Sequence, residues 1–361
     1  MVTWDLAGLS SYLRLGSVHS DLASAHPELA SRQVGFYRSA GDGVHIAAYF
    51  GPDGLDLVDE RRGQVSPARD ARASGGFCPG SWRPDGQRFA LGAADGHVQV
   101  FDDSGRLRSE ARVSRTAVTD VDYTADGREI AVSDLSGRVA LLDASTWSAA
   151  GKPVQLGGPV AGVTLAPDGR TAFVVTRPRA FTPGTFPAFE GWAVLDLKTG
   201  TVIRTGRLPE TSWLFDDFSP DGAHVAVSFL SGRVWILDAR TGQPVDAPPP
   251  TRRSPIFWVG WSPDGSQVLS ADNGGTLALW DASTDTVQNT VTVPGSAIVT
   301  GQFRPGTTDV TILDGSGRIL TWDTRPEHAI EFACRLAGRD LTADEWRTYV
   351  GTRPQFDVCP T

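Results

Sequence analysis

The sequence predicts an all-β protein, a β-propeller of seven four-stranded antiparallel blades, and three observations carry that prediction. A glycine turn recurs at nearly constant spacing, an apolar run ending in aspartate follows each turn, and a spare copy of that run stands at the N-terminus. The turns are AGDG ending at Gly43, RPDG at Gly86, TADG at Gly127, APDG at Gly169, SPDG at Gly222 and Gly265, and RPG at 304–306. Successive turns lie 43, 41, 42, 53, 43 and 41 residues apart. Four short strands within a period of roughly 40–45 residues are the mark of a propeller blade.

Each element of the repeat has a physical reason. In SPDG, proline presets φ, aspartate accepts bonds from nearby amides and glycine takes positive φ, so one strand is turned sharply into the next. A second run such as QVLSA (267–271) then meets a tight glycine turn such as DNGG (272–275). The third run ends in aspartate, as in LDLVD (55–59), VQVFD (98–102), VALLD (139–143), VWILD (234–238), LALWD (277–281) and ILTWD (319–323). A polar turn leads to a fourth, more irregular strand, for example GQPVDAP (242–248). Seven turns are matched by eight such endings, the extra one being VTWD at 2–5. An open sheet edge invites aggregation, and SYLRLGS (11–17) is placed to close the ring as the outer strand of the blade at 297–323. VTWD is then left over. It is either a vestigial strand or the end of a preceding unit in a longer polypeptide, and the repeat logic favours the second.

The bulk properties exclude several classes. A formal charge of −9 argues against non-specific wrapping of DNA. No run approaches the ~20 apolar residues of a membrane span, and the N-terminus lacks a charged leader followed by an apolar block. Three cysteines in 361 residues make no disulfide framework. The expectation is a soluble cytoplasmic protein, monomeric as an isolated ring, without membrane association or cofactor.

After Asp323 the pattern changes, which divides the chain into a ring at 1–323 and a helical tail at 324–361. Pro326 suits a first helical turn, and EHAIEFACRLAG stops at Gly338, a helix-ending residue. TADE (342–345) is a capping box with Thr342 as N-cap and Glu345 three residues on. The helix it starts should turn Trp346 and Tyr349 inward, and burying the indole contributes ~2–3 kcal/mol towards holding the tail on the ring.

The turn phrase and the Trp-Asp endings resemble the WD-repeat family over roughly residues 1–323, with Trp4-Asp5, Trp280-Asp281 and Trp322-Asp323 keeping the literal dipeptide. The Gly-His dipeptide that such repeats often place before the first strand is absent there, and Gly96-His97 sits in a different turn. The family's buried His–Ser–Asp–Trp network is therefore not carried over. The tail is similar to one that follows propellers in bacterial STAND-type ATPases and actinobacterial regulators. The matching residues are Ala333-Cys334, Gly338-Arg339, Leu341-Thr342, Glu345-Trp346, Tyr349 and Cys359-Pro360, with Asp340 departing from the usual asparagine. These resemblances imply a non-catalytic interaction platform, the sensor or scaffold part of a larger bacterial signalling protein. The alternatives are a stand-alone scaffold and, from a different class, a propeller hydrolase or lactonase. None of the six histidines sits in a recognisable catalytic motif.

Cys334 and Cys359 are expected first as reduced, packed thiols, second as a disulfide and third as metal ligands, since no Cys-x-x-Cys or His-x-x-x-His occurs. Cys78 reads as a core residue. The longest turn spacing carries an insertion, RPRAFTPGTFPAFEG (177–191), between the second and third strands of its blade. Its Phe181, Phe186 and Phe189 are either folded onto the rim or offered to a partner. Arg177 and Arg179 of the same loop join Arg69, Arg72, Arg115, Arg252 and Arg253 of the connections between blades on one face. The opposite face collects Asp85, Asp102, Asp103, Asp126, Asp143, Asp168, Asp221, Asp238, Asp264 and Asp281. The polarised disc that results would dock an acidic or phosphorylated protein surface, with nucleic acid the less favoured partner.

Overall fold

The computed structural model describes residues 13–14, 36–40, 44–49, 54–59, 62–72, 80–178, 189, 191–207, 210, 213–245, 254–284, 286–292, 298–304, 306–314, 319–325, 334, 338–349, 354–355 and 359. Among these, seven antiparallel sheets follow one another along the chain. Their innermost strands are Phe36–Ser39, Gly80–Trp82, Val118–Tyr123, Val160–Leu165, Trp213–Phe218, Ile256–Trp261 and Ile298–Phe303. Each lies against the next, and Phe36–Ser39 also lies against Ile298–Phe303, so the seven blades form a closed ring.

The middle strands are apolar without alternation because each blade is sandwiched between two others. Leu55–Asp59 is buried along its whole length, and in Arg138–Asp143 all four central residues are buried. The core is thus a series of layers between blades. Leu141 of the third blade packs with Val163, Val174 and Leu195 of the fourth. Phe173 and Trp192 of the fourth pack with Phe218 and Phe229 of the fifth. Outer strands have solvent on one side and read differently; Thr201–Gly206 is exposed at five of its six positions.

Ring closure uses the strand expected from the N-terminal region. Leu13–Arg14 pairs antiparallel with the last blade's third strand, Ile319–Asp323, with Leu13 opposite Trp322 and Arg14 opposite Thr321. Its neighbour Trp322 is 1% exposed and joins Leu269, Leu277, Phe303 and Val310 in one apolar layer.

The turn glycines at 86, 127, 169, 222, 265 and 306 all have φ between 64° and 73°, the left-handed region where a side chain is costly. Gly43 of the first turn lies outside the described residues. In the fifth blade three strands lie among the described residues. Of GQPVDAP (242–248), residues 242–245 are described: Leu237 bridges to Pro244, and the Val245 amide donates to the Ile236 carbonyl at 2.9 Å. The rest of that segment lies outside the described residues.

In the tail, the helix α1 (Ala343–Tyr349) begins at the capping box. The Thr342 amide donates to Glu345 Oε2 at 2.8 Å, and the Glu345 amide donates to Thr342 Oγ1 at 3.3 Å. Trp346 is buried, while the Tyr349 side chain lies outside the description. So does most of the helix expected before Gly338, although Cys334 is helical and its carbonyl accepts the Gly338 N–H at 2.8 Å. The expected order for the thiols is reversed: Cys334 and Cys359 form a disulfide, with their Cα atoms 5.3 Å apart. The Cys359 amide donates to Asp340 Oδ1 at 2.9 Å and Gln355 Nε2 to the Leu341 carbonyl at 2.8 Å. These bonds fold the end of the chain back onto the segment after Gly338, which brings the two sulfurs together.

Two outcomes follow from this architecture. Trp322→Ala should cost about 3–5 kcal/mol, the range for emptying a fully packed aromatic site, read as a lowered urea midpoint with an unchanged slope. Cross-linking over 25 residues removes ~3 kcal/mol of unfolded-chain entropy. Dithiothreitol or Cys359→Ser should therefore speed limited proteolysis within 334–361 and leave the ring's cleavage pattern unchanged.

Candidate interaction face

Antiparallel blades give the ring two ends. Turns joining first to second and third to fourth strands emerge at the turn end. Turns joining second to third strands, and the links between blades, emerge at the connection end.

At the turn end, the aspartates fasten their own loops. Asp85, Asp126, Asp168, Asp221 and Asp264 each accept, through Oδ1, the amide two residues on, at 2.8–3.0 Å. Third-strand aspartates do the same in the next turn. Asp143 accepts the Ser145 and Thr146 amides, Asp238 that of Thr241, and Asp281 those of Ser283 and Thr284. Asp102 accepts the amides of Ser104 and Arg106 at 3.0 Å and a bond from Arg108 Nε at 2.6 Å. Burial pushes the Asp102 carboxyl up, but bonds from Ser104, the Arg106 amide and Arg108 outweigh it and bring the pKa down to about 2. Asp103 is the looser member of the set and faces Arg62 at 3.7 Å.

At the connection end, the arginines divide. Arg69 and Arg115 are exposed. Arg72 is bound to Asp95 at 3.2 Å and also contacts Glu110, so its charge is largely offset. Arg179, Phe181, Phe186, Arg252 and Arg253 lie outside the described residues. Arg177 and Phe189 are brought together, the guanidinium 6.0 Å from the ring centroid, a cation–π distance. Both are buried, Arg177 at 8% and Phe189 at 3% exposure, so neither is part of an exposed patch and Phe189 takes the rim-covering placement. The cause is local. Thr176 pairs with Gly191 at the base of the insertion, and the Arg177 amide donates to the Pro159 carbonyl at 2.8 Å. Burial draws the Arg177 pKa below its usual value.

Beside Arg177 a pocket of about 650 Å³ opens at this end of the fourth blade, between Gly157-Gly158, Pro178, Thr205 and Arg207. The Trp192 indole N–H donates to the Arg207 carbonyl at 3.1 Å, fixing one wall. Gly191 is required here because a Cβ would come within 2.6 Å of the Gly206 carbonyl.

A second cavity, about 670 Å³, runs through the middle of the ring past Asp120, Asp122, Asp216 and Asp217. The sequence does not single these residues out, and Asp120, Asp122 and Asp217 join blades. Asp122 accepts the Leu165 amide of the next blade at 2.8 Å and the Ser81 hydroxyl of the previous one at 3.1 Å. Asp120 accepts the Val163 amide at 3.1 Å, and Asp217 the Trp261 amide at 3.0 Å. The signal was present in VTDVDYTADG and WLFDDFSPDG, where two aspartates stand on each inner strand and one of them lies five residues before the turn glycine. Among the described residues, no group of three or more His, Cys, Asp or Glu side chains is placed to hold a metal ion. No helix there is long and apolar enough to cross a membrane.

The fold these features define is a seven-bladed β-propeller. The family model described as WD domain, G-beta repeat matches residues 250–281, and in that blade the Trp280 indole N–H donates to Ser270 Oγ at 2.8 Å in a buried site. One link of the Trp–Ser–Asp–His arrangement is thus present although its histidine is not. The chain is 35% identical over 88 residues to WD repeat-containing protein 1 of Bos taurus, covering 24% of this chain and 14% of that protein. It is 24% identical over 264 residues to the Xenopus tropicalis protein of the same name, covering 71% of this chain and 40% of that one. Protein tipD of Dictyostelium discoideum is 27% identical over 145 residues, covering 37% of this chain and 22% of its own length. The chain therefore spans less than half the length of the curated relatives it matches, and those relatives are eukaryotic.

The Asp102 geometry fixes a pH dependence. Its folded pKa of about 2 lies below the ordinary 3.8, so its stabilisation is full above about pH 4 and is lost as pH falls through about 2. Urea midpoints measured between pH 6 and 2 should fall more steeply for the native protein than for Asp102→Asn, and the two curves should converge at the acid end.

Proposed function

We propose that the protein is a non-catalytic, cytoplasmic interaction platform that docks a protein partner on the connection end of the ring. The observation that carries this reading is the division of labour between the two ends. The turn-end carboxylates are occupied in holding their loops, whereas Arg69 and Arg115 at the connection end are exposed. Arg252 and Arg253 stand in the corresponding stretch of sequence, between the fifth and sixth blades. WD-repeat propellers typically serve as such scaffolds. The tail supports a further step, a place as sensor or scaffold within a larger bacterial regulatory protein. Its resemblance rests on residues that hold one another, including the Arg339–Glu345 pair at 2.7 Å and the Cys334–Cys359 link.

The test is quantitative capture of partners from the native cells on immobilised protein, with identities fixed by mass spectrometry. Combined charge reversal at Arg115, Arg252 and Arg253 should reduce capture of the main partner by about tenfold or more, as expected when several interfacial charges change sign. Undiminished capture would overturn the docking face. Turnover of ester or lactone substrates, abolished by changing one connection-end carboxylate, would overturn the non-catalytic reading.

A further inference from the structure

We propose that the pocket at the connection end of the fourth blade binds the phosphate of a phosphorylated serine or threonine within an extended segment of a partner, with Arg177 and Arg207 as its guanidinium ligands. This rests on the platform reading and specifies the chemistry of one site on it.

The first argument is charge. The chain as a whole carries −9, yet the only charged side chains among the described residues lining this pocket are the two guanidinium groups of Arg177 and Arg207. A net-acidic protein thus has a local cavity whose described lining carries two cations and no carboxylate. Two guanidinium groups match the roughly −2 charge and the several acceptor oxygens of a phosphate monoester better than the single charge of a carboxylate.

The second argument is preorganisation. Arg177 does not reach out from a mobile stem. Its amide is bonded to the Pro159 carbonyl, its guanidinium lies over Phe189, and it is 8% exposed. A cation already ordered and largely stripped of water gives up little more freedom or hydration when an anion arrives. Arg207 is exposed at the mouth, with its carbonyl anchored by Trp192, and can close over the bound group. The neighbouring Gly157 and Gly158 let a ligand approach the backbone closely.

The third argument selects a peptide over a free phosphate compound. A volume of about 650 Å³ exceeds what one phosphate group fills and admits a phosphorylated side chain with part of its backbone. The mouth adjoins Thr201–Gly206, the outer strand of the sheet. Val202 and Ile203 on that strand are 40% and 47% exposed, two of only four large hydrophobic residues so exposed among the described ones. Residues flanking the phosphate would cover these side chains and could pair with the outer edge of the strand, which has no strand partner among the described residues, as in strand addition. An isolated phosphate would use neither.

The experiment uses the full chain and fluorescence anisotropy. The probes are random-sequence heptapeptides centred on phosphoserine or phosphothreonine, the same mixtures unphosphorylated, and inorganic phosphate and pyrophosphate as competitors. The phosphorylated mixtures should bind at least about tenfold more tightly than the unphosphorylated ones, a difference typical of charge-assisted recognition. Arg207→Glu should abolish the preference. Arg177→Lys should weaken it by about tenfold because lysine keeps the charge but loses the planar fork. Since Arg177 is buried, the exposed Arg207 variant decides the matter if Arg177→Lys melts early. Equal binding of the two mixtures overturns the proposal, as does a preference unchanged in Arg207→Glu. Inorganic phosphate binding as tightly as the peptides overturns the peptide as source. Should the phosphopeptide preference be absent while partner capture still depends on Arg115, Arg252 and Arg253, this inference fails and the platform reading stands. A preference lost in Arg207→Glu, with capture indifferent to those three charges, upholds the inference and removes the wider docking face.

Discussion

Leu13 and Arg14 pair with Trp322 and Thr321, and through this two-residue contact the early part of the chain completes the last blade. Each other blade shown in the structure pairs its strands with their immediate neighbours in sequence. This contact joins positions roughly 300 residues apart, so its chain-ordering cost is met in a single step. Without it, Ile319–Asp323 would present an open ladder edge, and the seventh blade would lose the strand that completes its sheet. The layer around Trp322 depends on that closure, and the two ends of the ring owe their fixed geometry to it.

Aspartate serves two mechanical purposes in this ring, and they differ in range. In the turns its carboxylate accepts amides two or three residues away, which converts a flexible reversal into a fixed one. On the inner strands it reaches the backbone of another blade. Asp122 touches three consecutive blades at once, through Ser81, its own strand and Leu165. The first use holds a loop and the second holds neighbours in angular register about the central cavity. A chain with 42 acidic residues therefore has fewer carboxylates available for partners than its composition suggests.

The fold was legible because its signals are local. A Pro-Asp-Gly turn is decided by its own φ values and amides, and a run buried on both faces loses the alternation that would mark a half-exposed strand. The misplaced features depend on what meets what across long distances. Arg177 was grouped with surface arginines because spacing places it in a loop. That Phe189 and the Pro159 carbonyl take it in is a property of the folded blade. The disulfide is of the same kind, since Asp340 and Gln355 fold the chain end back in a way that a sequence separation of 25 does not announce. Asp122 and Asp217 share one offset from their turn glycines and were findable in the sequence, but their partners were not.

The insertion at 177–191 hangs from a base where Thr176 pairs with Gly191 and Thr176 Oγ1 donates to the Gly191 carbonyl at 3.2 Å. Below that pair, the blade is a four-stranded sheet like that of the third blade and has no record of the loop's length. Lengthening a loop from about four to about fourteen residues costs only about 1 kcal/mol in closure entropy. Variation can therefore accumulate above Thr176 and Gly191 while the ring beneath stays constant. The blade thus separates a fixed chassis from an adaptable surface, so new recognition can arise there without a new fold.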